Sequence, residues 1–513
     1  MPTTPTPLRL RTPTLALAAL LLAGCATLEP QALNPAEIKA AVDGDRIGLS
    51  KDVEPLAGPL TLEEAVARAI KHNAERRLKA MEEAVAQGTF DAGRFDMLPK
   101  LVAAAGYRYR DKDLITRSED SVTGLPSLAN PYISSSREAV TTDLGFSWSL
   151  LDFGQSYFAA RQNADRVLIA AERRRKAVHT LIQDVRTAYW RLVAAEKLGA
   201  TLKRTIGDAE AALADARRVE DERLRSPIEP LRYQRQLLEN LRLLEIIEHE
   251  LSTARVELAA LANLPLGQPI RVVEPTGTVN TAWLELPMEE MEAHALMLNP
   301  DLRESLYNAR IAQQETRRAL LRLFPGLSFN YALKTSNDDY LIHDTWKEAG
   351  AQISFNLLGL LAAPAQMRLA EAGVALADQK RMATQMAVLT QLHLARLHYA
   401  NAARQFARAD AIAGVDTRIA EHVAHQEQAE KQTRLERVSQ QTAAILSVLR
   451  RYQALSNAQA AASRLQATLG LEPVVAGSDA QPLAELTAAV ARALAAWESG
   501  RLPPLPEAPL AAD

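Results

Sequence analysis

The sequence predicts a mostly helical chain in tandem duplication, each copy inserting two strands suited to a membrane β-barrel. Three features predict it. Ala, Leu, Arg and Glu dominate the 513 residues, with 5% aromatics and only 22 glycines, a composition of long helices. Two halves of the chain match one another at fixed offsets. And GLSFNYALK (326–334) alternates without a slip, with Leu327, Phe329, Tyr331 and Leu333 on one side and Ser328, Asn330, Ala332 and Lys334 on the other. That is the period of a strand with one oily and one wet face.

Residues 1–24 read as a signal segment. Arg9 and Arg11 precede an apolar run, Leu15 to Ala23, too short to span a bilayer as a mature helix. The run ends in Leu22-Ala23-Gly24-Cys25, which resembles a bacterial lipobox, where the Cys is lipidated as the first mature residue. Cys25 is the single cysteine, so no intramolecular disulfide forms. A buried thiol beside an ordinary cleavage site is the alternative. Ala26 and Thr27 follow with no Asp, which resembles sorting to the outer membrane. An acyl anchor attaches a chain to lipid without making it span. Residues 25–59 form a polar, Pro-bearing lead.

The repeats begin at LTLEEAVARAIKHNAERR (60–77) and LPMEEMEAHALMLNPDLR (286–303). Leu60, Glu63, Glu64, Ala69 and Asn73 fall on Leu286, Glu289, Glu290, Ala295 and Asn299 at an offset of 226, which also carries Pro99 onto Pro325. FSWSLLDFG (146–154) then faces SFNLLGLL (354–361) at an offset of 207, held to ALANL (260–264) against ATLGL (467–471). The first copy thus carries 19 extra residues, between Pro99 and Trp148. The domains that follow are a first repeat, 60–263, a linker, 264–285, a second repeat, 286–473, and a tail, 474–513, with a short amphipathic helix from about Ala484 to Trp497.

Four strands are expected, at 100–110, 142–151, 326–334 and 348–358, each near the length that crosses a bilayer when tilted. Polar loops, 118–138 and 335–344, join the members of each pair, and the surplus residues fall in the first, where length varies cheaply. Of the 25 aromatic residues, 14 lie within 99–158 and 324–355, as an interfacial girdle needs. The alternative is a soluble β-sandwich core fed by the same oily faces.

From Gln155 to about Leu224 there is no proline. Leu181, Val185, Ala188, Leu192, Ala195, Gly199, Leu202, Ile206, Ala209, Leu213 and Ala216 step by four and three, a heptad seam that demands partner helices. Residues 366–430 form a similar run, and segments from 226 and 433 return as antiparallel mates. Four strands cannot close a barrel in lipid, because open edges are intolerable there, so oligomerisation must close it. Three protomers would supply twelve strands and twelve long helices.

With these features the chain resembles the TolC family of outer-membrane efflux and secretion ducts over about residues 60–473. The carriers are the LTLEEA…N openings, the Pro-led entry to the first strand, the SWSLLDFG exit, the long helices and the LG-type end. The resemblance implies a homotrimer with a twelve-stranded barrel in outer-membrane lipid and a long periplasmic α-barrel, docked at its far tip on a periplasmic adaptor and an inner-membrane pump. Linker and tail would belt the tunnel's waist, and the lipidated N-terminus resembles the acyl-anchored branch. Family members meet the adaptor through helix-turn-helix tips. Leu224, Ser226, Glu229 and Leu231 fit the first tip; Thr433, Leu435, Glu436 and Val438 fit the second. Arg223 and Glu430 stand where the family has a turn glycine. Ser226 and Glu229 read equally as an N-cap with its capping-box acid. Glu220, Asp221 and Glu222 would form a negative ring at the tunnel mouth, or are scattered helix-end charge.

The remaining classes fall away. A net charge of −3 and a pI near 6.4 leave no footprint for nucleic acid. GxGxxG, P-loop, HExxH, GxSxG and CxxC are all missing, so no enzyme activity and no cofactor is expected. His422 and His425, with Glu421 and Glu427, read as charged tip residues before they read as a metal site. The expected role is an outer-membrane channel of a tripartite export system. A type I secretion or polysaccharide exit duct of the same fold, and a non-conducting coiled-coil envelope lipoprotein, are the alternatives.

Overall fold

The computed structural model describes residues 31–116, 119–126, 132–221, 228–275, 279–429, 433–471 and 481–505. It forms two compact units, divided after Val53. In the first, helix α1 (Pro35–Ser50) starts on a capping box: the Asn34 side chain accepts from the Glu37 N–H while Glu37 reaches back to the Asn34 N–H. It buries none of its residues.

The second unit holds both repeats. The first runs α2 (Leu62–His72), α3 (Ala74–Arg94), β1 (Lys100–Tyr109), the short pair β2 (Ile115–Thr116) and β3 (Tyr132–Ile133), β4 (Glu138–Ser149), α4 (Leu150–Asp221) and α5 (Ile228–Leu261). The second runs α6 (Met288–Leu298), α7 (Pro300–Leu321), β5 (Gly326–Ser336), β6 (Thr345–Ser354), α8 (Gly359–Gln428) and α9 (Arg434–Thr468), and α10 (Leu483–Glu498) follows. Two strands end earlier than their alternation suggests. β4 gives way to α4 at Leu150, where the Ser149 hydroxyl accepts from the Asp152 N–H. β6 stops at Ser354 because the Asn356 side chain accepts from the Gly359 N–H and starts α8. That helix begins ahead of Pro364, which it absorbs in its second turn.

The repeated residues explain themselves in the structure. Asn73 ends α2 and caps α3 by accepting from the Arg76 N–H, and its amide donates to the Leu261 carbonyl at the end of α5. Asn299 does the same between α6 and α7, accepting from Asp301 and Leu302 and donating to the Thr468 carbonyl at the end of α9. One asparagine per copy thus joins three helix ends. The return helices also close alike. Asn263 and Gly470 sit in the left-handed region, at φ 52° and 71°, and the next N–H reaches back to Ala259 or Gln466.

α4 has 72 residues and α8 has 70, so each is on the order of 105 Å long. Of the predicted heptad seam on α4, Ala195, Gly199 and Ile206 are half-buried and the other eight residues are buried. The upper part of α4 packs on α3 and α7, the lower part on α5 and α9. Between α4 and α7 the contact is polar: Arg310 pairs with Asp165, Arg303 with Glu172, Arg173 with Glu304 and Lys176 with Asp301.

The largest core surrounds the middle of α4, where α2, α5, α9 and α10 meet on Leu60, Tyr189, Leu258 and Leu486, all fully buried. The linker is strapped there. The Tyr189 hydroxyl donates to the carbonyls of Leu60 and Val273, at 2.9 and 2.5 Å, and Trp283 Nε1 donates to the Trp497 carbonyl at 2.7 Å. Nearby, burial, helped by Arg175, lowers the His179 pKa from 6.5 to about 4. As the pH falls through that window the unfolded chain takes up a proton that the folded chain refuses. Stability present above pH 6.5 is therefore lost toward pH 4, by on the order of 3 kcal/mol. His179→Gln should flatten the acid limb of an unfolding-temperature profile; an unchanged limb would remove His179 from the account.

Candidate functional site

The two hairpins, distant in sequence, form one antiparallel sheet in the order β1-β4-β5-β6. Its register aligns the alternation of all four strands. Leu144 lies between Ala103 and Leu333, Phe146 between Leu101 and Tyr331, and Tyr331 beside Ala349. The opposite face carries Asp143 between Ala104 and Lys334, Asn330 beside Gly350, and Lys334 bonded at 2.6 Å to Glu348. One face is apolar and one is polar. Within these strands only Ala139 and Ser336 are buried, and β1 is exposed along its whole length. The sandwich reading fails on this point, since a sandwich core would bury one face of each strand. Both end strands, β1 and β6, keep an unpaired edge among the described residues.

At the loop end of the sheet the two repeats are tied by Asp338. Its carboxylate accepts from the Ser136 N–H at 2.8 Å, the Ser135 hydroxyl at 3.0 Å and Arg108 Nη2 at 3.2 Å. The Ser136 N–H, ahead of the other donors, holds that carboxyl down to about 2. Asn337 and Val140 bond each other in both directions.

The other end of the long helices is the tip. Thr433 caps α9, its hydroxyl accepting from the Glu436 N–H at 3.2 Å, and Glu436 accepts from Gln440. Val438 is fully buried among Ala209, Ala212, Leu213, Leu237 and Leu241, and Leu435 packs half-buried on the same cluster. These two, expected at the adaptor-contact tip, pack into the tip's own apolar cluster. Leu231 is exposed, and Glu229 lies in the first turn of α5. Glu220 accepts from Gln234 of α5 at 2.6 Å, while Asp221 is exposed at the end of α4. Cys25, Glu222, Leu224 and Ser226 lie outside the described residues. Among the described residues no cluster able to hold a metal occurs, at His422 and His425 or elsewhere.

Sequence reasoning missed the tip's cationic ties. Arg437 donates to Asp208 of α4 at 2.7 Å and pairs with Glu427 of α8 at 3.3 Å, so one guanidinium joins three helices. Burial works against its charge, and the two carboxylates outweigh burial and raise its pKa. One turn earlier, Arg434 reaches Asp215 of α4 at 3.3 Å. The available signal was two arginines three apart on one helix face, beside acids the heptad seam leaves polar.

An apolar and a polar face on one two-edged sheet, carried by antiparallel helices of this length, are the geometry to set beside known proteins. Residues 65–264 match the outer membrane efflux protein family, and the chain is TolC-like in fold. It resembles the outer-membrane channel OprN (TM-score 0.60, 16% identity, 80% of this chain and 90% of that one). It also resembles the CmeC channel of Campylobacter jejuni (TM-score 0.62, 13% identity, 88% and 94%) and the open state of the MtrE channel of Neisseria gonorrhoeae (TM-score 0.60, 15% identity, 80% and 89%). No curated protein matches the sequence. No described helix is long and apolar enough to cross a membrane.

Proposed function

We propose that three copies of the chain form a passive duct for efflux across the outer membrane and periplasm. An inner-membrane pump would drive it through a periplasmic adaptor docked at the tip. The observation that carries this reading is the pair of open edges. The sheet ends at β1 and β6. In hydrocarbon each unsatisfied backbone group costs several kcal/mol, so β1 of one copy must pair with β6 of the next.

The helical layer ends the same way. The rods follow the order α3 and α5, then α4, then α7 and α9, then α8. Exposed apolar residues sit on the terminal rods, at Leu78, Met81 and Val85 of α3, Leu238 and Ile246 of α5, and Met386, Leu394, Leu397 and Ile412 of α8. Sheet and helices therefore share one head-to-tail interface, and such an interface closes as a ring or runs on as a fibre. Three copies give the twelve strands of the family resemblance. Apolar residues outward and Asp143, Lys334, Asn330 and Glu348 inward make a lipid-facing wall around a wet lumen. Cys25 would add an acyl anchor, and the exposed Thr433 and Leu231 would face the adaptor. The chain needs no chemistry of its own for this role.

The assembly is tested by native mass measurement on detergent-extracted protein. A trimer is expected, dispersed to monomers when Leu394 and Leu397 are both replaced by Glu. A monomer from the unaltered chain would contradict ring closure. Acyl labelling lost in Cys25→Ser tests the anchor separately.

A further inference from the structure

Arg186 stands at the middle of α4, beside the heptad seam, and is only 5% exposed. A buried guanidinium is costly unless an acid answers it. Among the described residues none does. Nη1 donates to the Ser463 hydroxyl at 2.7 Å and Nη2 to the Gln459 side chain, both neutral and one turn apart on α9. The Nε–H has no acceptor. Burial pushes the guanidinium down to about 10, although Glu498 and Tyr399 pull the other way.

Arg186 lines a cavity of about 20 Å³, closed by Ala458 and Ala462 of α9, Tyr399 of α8, Trp283 of the linker and Trp497 of α10. Most polar groups of this wall are spent on one another. The Tyr399 hydroxyl donates to the Asn280 carbonyl, the Asn280 amide to the Glu498 carbonyl, and Trp283 Nε1 to the Trp497 carbonyl. Gln466 Oε1, also on the wall, has no partner. A half-turn of that amide breaks no bond at the oxygen and offers the cavity an N–H. Glu498, the one carboxylate on the wall, is exposed and makes no ion pair with Arg186.

We propose that this cavity holds a halide ion against the Arg186 Nε–H, with the Gln466 amide as second donor. One water-sized body needs roughly 10–15 Å³. The space of about 20 Å³ therefore takes a single atom-sized ligand and no oxyanion or carboxylate. A water would fit and leave the charge unanswered. A metal cation would meet like charge. The bound anion would join α4, α8, α9, the linker and the end of α10 at one point.

This site stands whether or not the chain conducts, so the readout is the stability of the full-length protein in uncharged detergent. At constant ionic strength, replacing gluconate by chloride or bromide should raise the unfolding temperature saturably. Arg186→Met removes the charge at similar length and should abolish that response. Glu498→Gln, at an exposed position, should tighten halide binding about tenfold. Crystals grown in bromide should show an anomalous peak at Arg186 Nε. Stability indifferent to halide would leave water at the guanidinium and overturn the proposal. An equal rise with sulfate, or a halide response surviving in Arg186→Met, would mark a general salt effect or another site, and either overturns it. Loss of stability in Glu498→Gln with no halide response would show that carboxylate closing on Arg186, which overturns it too. Should Arg186→Met fail to fold, the bromide peak and Glu498→Gln decide.

Discussion

Arg437→Ala is expected to raise the open probability of the reconstituted protein about tenfold. The side chain is 16% exposed and joins α9 to Asp208 on α4 and Glu427 on α8. A tip that opens must part these helices, so the ties weigh on the closed side only. Partly buried pairs of this kind contribute on the order of 1–2 kcal/mol, and 1.4 kcal/mol is a tenfold shift in a two-state ratio. Arg434→Ala, whose pair with Asp215 is more exposed, should act in the same direction and less. The charge swap Arg437→Asp with Asp208→Arg should restore part of the closure. Single-channel recording distinguishes the outcomes. A variant no more open than the parent would mean the guanidinium only stabilises the fold, which a fallen unfolding temperature would register.

Leu144→Arg is expected to abolish assembly in the membrane. Leu144 sits mid-sheet on the apolar face, flanked by Ala103 and Leu333. An arginine facing the middle of a bilayer costs about 2–4 kcal/mol, and a trimer would carry three. The matched control is Asn330→Lys, on the polar face of β5, where the charge would meet water and the loss should be slight. Membrane-fraction yield of trimer reads both. If the two variants behaved alike, the faces would not be divided between lipid and lumen.

Much of this architecture could be read from the residues. The heptad seam, the strand alternation and the duplication are local or periodic signals, and the repeated asparagines Asn73 and Asn299 are visible as an unexplained coincidence. What was not legible is non-local. That β4 pairs with β5, with Thr142 beside Thr335, follows from neither strand's pattern. The ties of Arg437 depend on which turn of α4 lies beside which turn of α9, and heptads fix the seam but not the stagger. The burial of Val438 was not legible for a related reason. Its place in the tip motif marks it for contact, while its helix phase points it at Leu213 and Leu237.

The most direct test of the duct is planar-bilayer conductance of the extracted protein with its mass taken on the same sample. Discrete pores from a trimer, open more of the time in Arg437→Ala, are what the two-edged sheet and the tied tip predict. A trimer that passes no ions in either form would contradict a duct and leave a sealed envelope protein in its place.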